Sequence, residues 1–506
     1  MERAGLKRFL MPSIGDLLFV SIFLRLLSLG GTLLNDGDTG WHLVAGESIL
    51  KTLSIPHTET YSYTATGIEW ISHEWLSELF FALVHRLGGL NGVIVFSAAI
   101  IAFTFWLAYR LMLKRGINPL TAALFTVFAA SVSASSMLAR PHIISYLLML
   151  SFFWILEDFQ RGLKDRLWLL PLLIALWANL HAAFFLGLVF VLLYAFGNLL
   201  YWYMGESKPE SAKRARRLFL VLAASVMAAL INPHGPSIFS FPFKLIGQED
   251  IIGNIHEWAS PDFHKTKAFE AMLLGVIAIL VLSRKRPNLF EGGVLVMLAH
   301  LALSSQRFIP MFAVIVAPVA AARLEEVSGE LFAEPRDRSL ERIRMRLSAL
   351  SGMEPWFRGH ITPILVVVTA AAIALNGGYA GGSRLMDYRF SAGRFPVEAF
   401  EYAASNGING RVFNKDGWGG YMLYKGYPEY KVFIDGRFET YGPRMMKEYL
   451  AVSKAKLGCT EILDKYKVDW VMFDSGSQLC RLLEAKGWKN VYSDQTAEIL
   501  LRRKSL

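Results

Sequence analysis

Charge is scarce in this chain. Asp, Glu, Lys and Arg make up 19% of its 506 residues, below the roughly 25% usual for soluble domains. With 54% hydrophobic residues, among them 35 Phe and 13 Trp, that scarcity excludes an ordinary soluble globule and points to a polytopic membrane protein. Cysteine is nearly absent. Cys459 and Cys480 are the only two, and they form either a disulfide closing a loop of about 20 residues or two separate buried thiols. Also missing are a P-loop, a dinucleotide fingerprint, a G-x-S-x-G elbow and the HxxxH or HExxH spacings of zinc sites, so these common signatures supply no chemistry here.

What the chain has is long apolar runs. The first, Ile14 to Leu34, would span roughly 31 Å as a helix, about one hydrocarbon core. It is too long for a cleavable signal, and no small-residue cleavage site follows it. Further runs at 90–113, 119–138, 142–158, 167–180, 182–203, 218–232, 268–283, 289–303, 309–322 and 361–376 bring the expected spans to eleven. The net charge of +10 would suggest nucleic acid in a soluble protein. Here the basic residues gather instead in alternate loops: Arg3, Lys7 and Arg8 before the first span, Arg110, Lys114 and Arg115 after the second, Lys213, Arg214, Arg216 and Arg217 after the sixth. The positive-inside rule then makes the amino terminus cytoplasmic and the carboxyl terminus extracytoplasmic, with no nucleic-acid partner.

The loops left outside carry the unusual chemistry. The loop at about 35–89 holds Asp36, Asp38, His42, His57, Glu59, His73, Glu74 and Glu78. The loop at about 232–267 holds His234, Glu249, Asp250, His256, Glu257, Asp262 and His264. The stretch "DTGWHLVAGESIL" reads as a helix capped by Asp38, with His42 one turn above it on the same face. "SHEWLSELFFALVHRLGG" reads as a second amphipathic helix ended by Gly88 and Gly89, and the two suit a membrane interface. Residues 1–380 form the transmembrane domain in this reading. Residues 391–506 form a small soluble α/β domain, with strands at "GRVFN", "YKVFID", "VDWVMFD" and "AEILLRR". Within it "WGGY" and "IDGR" read as turns.

One span, then an outer loop that opens with an acidic pair and carries two interfacial helices, resembles the GT-C glycosyltransferases, in particular the oligosaccharyltransferase catalytic subunits. "DGDTGWHL" is similar to their Asp-x-Asp loop. The chain is also similar to a group of bacterial membrane proteins with this loop and an outer tail. The resemblance implies a GT-C-like transferase of the bacterial inner membrane and cell envelope. It would move a sugar or oligosaccharide from a polyprenyl-phosphate or polyprenyl-diphosphate donor in the bilayer to an acceptor glycan, lipid or protein on the outer face. It places Asp36 and Asp38 at the acidic motif and matches Glu257 to an acidic residue of a distal outer loop. Asp38 is then the catalytic carboxylate with Asp36 supporting it. His42, Glu74, Arg140, His181 and Glu257 are the candidate substrate-binding residues. A divalent cation, Mg2+ or Mn2+, would sit on Asp36, Asp38 and Glu257, since hard cations choose carboxylate oxygens. Arg140 suits phosphate oxygens, against the plain alternative of helix packing. Two other functions compete: an O-antigen-type polymerase or ligase, and a non-catalytic transporter or assembly protein.

Overall fold

The computed structural model describes residues 11–205, 208–240, 257–284, 287–331 and 359–503, together with 352, 354 and 357. Arg3, Lys7, Arg8, Glu249, Asp250 and His256 lie outside them.

Each of the eleven apolar runs is helical. They lie on α1 (Ile14–Ser28, with a further turn Gly30–Leu33), α3 (Trp75–Lys114), α4 (Pro119–Val132), α5 (His142–Gln160), α6 (Leu169–Leu180), α7 (Phe184–Met204), α8 (Lys208–Ala229), α9 (Lys267–Leu282), α10 (Leu289–Ser304), α11 (Ile309–Leu331) and α12 (Ile361–Leu375). By length and apolarity four helices of the described residues can cross a membrane: α3, α5, α7 and the helix of α11. Local chemistry sets the starts. Ser13 and Asp16 cap α1 reciprocally, and Asn288 and Glu291 do the same for α10, satisfying N–H groups that the first turn leaves without partners. Within α3, Gly89 adopts φ 59° and ψ −154°, so the helix breaks where the glycine pair is expected to end it. In its first part Phe80, Leu83 and Leu87 are exposed, while Glu78 and Phe81 are buried.

The helix α2 (Asp38–Thr52) is not free at an interface. It is covered on one side by α3 and on the other by a helix from the tail, α14, which follows α13 (Val397–Ser405) and spans Asp416–Gly426. This second contact corrects the expectation that "WGGY" is a turn. Glycine is a poor helix former, yet here it lets two backbones touch. A Cβ on Gly40 would lie 2.1 Å from the carbonyl oxygen of Gly420, and one on Gly420 would lie 1.9 Å from that of Gly37. Close packing repays what the glycines lose in propensity.

The rest of the tail is a small α/β unit. A hairpin of β1 (Tyr379–Ala380) and β2 (Ser383–Arg384) leads from the bundle. A four-stranded sheet follows in the order β3 (Val412–Asn414), β4 (Trp470–Asp474), β6 (Ala497–Leu501), β5 (Lys489–Ser493), with only the first pair parallel. Helices α15 (Phe438–Ser453), α16 (Cys459–Lys465) and α17 (Gln478–Ala485) complete it. "YKVFID" is not a strand of this sheet; Val432 makes a single bridge to Ser62 of the first loop instead. Phe413, Phe433, Val471 and Leu500 form the core of this unit, whereas Trp418 and Tyr421 of α14 belong to the core of the helical bundle. Cys459 and Cys480 are separate buried thiols.

The glycine contact predicts an asymmetric mutational result. Gly40→Ala should lower stability by about 1–3 kcal/mol through overpacking. Gly417→Ala, whose Cβ meets nothing within 4 Å, should change it by less than about 0.5 kcal/mol. Thermal unfolding of the detergent-solubilised protein distinguishes them; equal melting temperatures would rule out the backbone contact.

Candidate active site

The loop between α4 and α5 is stitched to the chain on both sides of the acidic pair Asp36 and Asp38. Ala139 N donates to Leu33 O at 2.8 Å, and the Thr39 hydroxyl donates to Ala139 O at 3.1 Å. This delivers the next residue, Arg140, into a nest of carboxylates. Its Nη1 lies 2.6 Å from Asp36 and 3.2 Å from Asp38, and its Nη2 lies 3.1 Å from Glu257. Ser305 and Arg307, between α10 and α11, hold the turn that presents Glu257 by donating to its carbonyl oxygen.

The helix cap expected of Asp38 is not made, and it is Asp36 that accepts at the start of α2. Asp38 is the first helical residue and caps nothing; its own N–H donates to Asp36 Oδ1 at 2.8 Å. Asp36 is therefore the fixed anchor, with its side chain 6% exposed, while the Asp38 side chain is 22% exposed and faces a cavity of about 410 Å³. Trp41 Nε1 donates to Asp38 Oδ1 at 3.1 Å. Burial and the adjacent Asp36 carboxylate raise the Asp38 pKa to about 7, against the pull of Arg140. Arg140 holds Glu257 down at about 2.

On the same cavity stands a second polar group. His42 turns Nε2 toward Glu74 at 3.6 Å and Nδ1 toward Glu78 at 3.4 Å. Glu74 also meets His181 Nε2 at 3.2 Å, and His181 Nδ1 meets the Ser145 hydroxyl at 2.9 Å. Burial lowers His42 and His181 well below the usual histidine range, so both are neutral near pH 7. Burial raises Glu74 to about 7. Five of the seven candidate residues, Asp38, His42, Glu74, Arg140 and His181, thus line one cavity, and Asp36 and Glu257 line an adjoining one that Arg140 also faces.

The metal expectation meets an obstacle. Arg140 stands among Asp36, Asp38 and Glu257, so those residues do not fit a divalent cation at that point. Among the described residues the donors close enough to share an ion are His42, Glu74 and Glu78. The phosphate role expected for Arg140 meets the same obstacle, because carboxylates occupy its fork. Arg307 answers to that role better. It lines both cavities, stacks on Trp258 with 5.0 Å to the ring centroid, and makes no ion pair with the described residues.

The tail supplies a wall that the sequence reading misses. Gly436, Arg437, Phe438 and Glu439 line the cavity, and a Cβ on Gly436 would lie 1.8 Å from Asp38 Oδ1. Arg437 is 1% exposed, pairs with Glu59 and Asp435, and sits 5.4, 4.8 and 4.9 Å from the ring centroids of Trp41, Tyr61 and Trp70. Burial raises Glu439 to about 7. The signal available was the density of aromatics around Tyr61 and Trp70, which a buried cation can use.

No family's sequence model matches the chain, and no curated protein matches it. Among solved structures it is similar to the archaeal oligosaccharyltransferase AglB from Archaeoglobus fulgidus, in complex with an inhibitory peptide and a dolichol-phosphate. The TM-score is 0.55 with 11% identity, over 91% of this chain and 69% of that one. The apo form of the Archaeoglobus fulgidus oligosaccharyltransferase gives the same figures. The likeness to these oligosaccharyltransferases is therefore one of fold.

Replacing Arg437 by Met would leave Glu59 and Asp435 buried without their cation. The expected loss is about 3–5 kcal/mol, seen as a lower melting temperature in detergent. An unchanged melting temperature would show that the pair carries little of the tail's attachment.

Proposed function

We propose that this chain is an integral membrane glycosyltransferase of the GT-C type. It takes a sugar or oligosaccharide from a polyprenyl-phosphate or polyprenyl-diphosphate donor and passes it to an acceptor glycan, lipid or protein outside the membrane. The observation that carries this reading is one cavity with two kinds of wall. Asp38, Glu74, Arg307 and the histidines make up its polar lining, and Leu186, Val189, Met297, Leu301 and Met311, from α7, α10 and α11, make up its apolar lining. A polar head joined to an isoprenoid chain needs both. The AglB structure, bound to a dolichol-phosphate, supports a lipid-linked donor. Carboxylates that converge on one cavity also favour an enzyme over a transporter or scaffold.

In the transfer, the bond between the anomeric carbon and the donor's phosphate oxygen breaks, and the phosphate leaves with the electron pair. A new bond forms from the acceptor's heteroatom to that carbon, and the acceptor's proton passes to Asp38. A base with a pKa near the working pH suits that role. Arg307 offsets the charge that develops on the leaving phosphate. The apolar wall excludes water, which would otherwise compete with the acceptor. Eleven spans, a cytoplasmic amino terminus and an extracytoplasmic tail in a bacterial inner membrane complete the proposal.

Asp38→Asn keeps the shape and removes the base. Transfer from a synthetic polyprenyl-linked donor should fall at least ~100-fold while expression and the elution profile stay as in wild type. Full activity in the folded variant would remove Asp38 from the chemistry. Wild-type kcat/KM should rise about tenfold per pH unit up to about 7, as Asp38 loses its proton, and then level off. A flat profile from pH 5 to 8 would assign the base elsewhere.

Orientation has its own test. Leu457 is fully exposed in the tail and both native thiols are buried. Leu457→Cys should therefore react with a membrane-impermeant maleimide in intact spheroplasts. Cysteine in place of Lys213 should react only after permeabilisation; the reverse pattern would invert the proposed orientation.

A further inference from the structure

Three carboxylates around one small volume are, by their chemistry, a site for a hard divalent cation. In this chain the volume holds the guanidinium of Arg140. One terminal nitrogen touches Asp36 at 2.6 Å and Asp38 at 3.2 Å, and the two nitrogens together grip both oxygens of Glu257 at 3.2 and 3.1 Å. The side chain is 6% exposed, and the backbone that carries it is tied to Leu33 and Thr39 on either side of the acidic pair. A guanidinium keeps its proton at any working pH, and its planar fork matches carboxylates at fixed angles. A Mg2+ or Mn2+ ion would have to draw the same oxygens to about 2.0–2.2 Å from a single point, beside a positive charge that cannot leave by deprotonation.

We propose that Arg140 is the resident cation of this site. It takes the place of a divalent metal among Asp36, Asp38 and Glu257, and the chain works without one. Arg140 is then a positioning residue. It locks Asp36, which accepts the Asp38 N–H and so sets the start of α2, and it draws Glu257 against the same point. The guanidinium balances part of the acidic cluster and leaves Asp38 facing the cavity. The other donor group has a different geometry. His42 offers opposite ring nitrogens to Glu74 and Glu78, so the ring bridges the two carboxylates.

The transfer half of this proposal rests on the glycosyltransferase reading, but the cation half can be measured without any substrate. Full-length protein in nanodiscs, stripped with EDTA and desalted, is titrated with MnCl2 while free Mn2+ is followed by electron paramagnetic resonance. Wild type and Asp36→Asn should take up Mn2+ equally, with no uptake that depends on Asp36. Arg140→Met should gain one Mn2+ per chain, and Arg140→Met combined with Asp36→Asn should lose it again. One Mn2+ per wild-type chain, abolished by Asp36→Asn, would overturn the proposal. So would a folded Arg140→Met protein that takes up none, since the carboxylates would then be no cation site. Should Arg140→Met fail to fold, wild type against Asp36→Asn decides the matter alone. Mn2+ uptake that Glu74→Gln removes and Asp36→Asn does not belongs to the histidine group and leaves the proposal standing. Where a donor is accepted, transfer should persist in EDTA. Transfer that stops in EDTA and returns with Mn2+ would overturn the proposal. A chain that accepts no donor refutes the glycosyltransferase reading and leaves the Mn2+ result intact.

Discussion

Burying Arg140 demands carboxylates around it, because a buried guanidinium without partners costs several kcal/mol. The chain meets that demand from distant positions: Asp36 lies 104 residues before Arg140, and Glu257 lies 117 residues after it. The cluster can therefore form only when α1, α5 and the α10–α11 connection have packed side by side. Its geometry also distributes the roles. Asp36, the nearest partner, becomes an anchor; Asp38, held by Trp41 and by the turn of the helix, is left facing the cavity.

A second buried guanidinium, Arg437, lines the same cavity. Arg437 belongs to the tail, but its partner Glu59 and its aromatic cage come from the segment between α1 and α3. Trp41 connects the two centres, since its ring lies under Arg437 while its Nε1 donates to Asp38. The helix α2 is thus clamped between the bundle and the tail, with glycines of α14 against its backbone. Tail and loop build one site together. A substitution that loosens α14 moves the frame on which Asp38 is mounted.

The same arrangement drives neighbouring carboxylates apart in acidity. Loss of contact with water pushes Asp38 and Glu74 up to about 7, whereas Glu257 stays near 2 because Arg140 grips both of its oxygens. Neutral histidines between them add hydrogen bonds without adding charge. Such separation lets similar side chains in one site hold and release protons in different ranges.

Local chemistry made part of this legible in the sequence. Runs of apolar residues announce helices because burial along a helix repeats every few positions, and each of the eleven runs is helical. Polar residues beside such runs are costly near hydrocarbon, which is why Asp36, Asp38, His42, Glu74, Arg140, His181 and Glu257 could be singled out and why they meet around one region. Tertiary structure decided what those residues do to one another. Nothing local to "LARPHIIS" shows that Arg140 faces carboxylates, because its partners lie more than a hundred residues away in either direction. Asp38 looks like a helix cap until the fold places Asp36 against its N–H. "DGWGGYMLYKG" looks like a turn from glycine's backbone freedom and becomes a helix because another backbone lies against it. Propensity and periodicity are properties of neighbours in sequence; ion pairs, close backbone contacts and the burial that shifts a carboxylate are properties of neighbours in space.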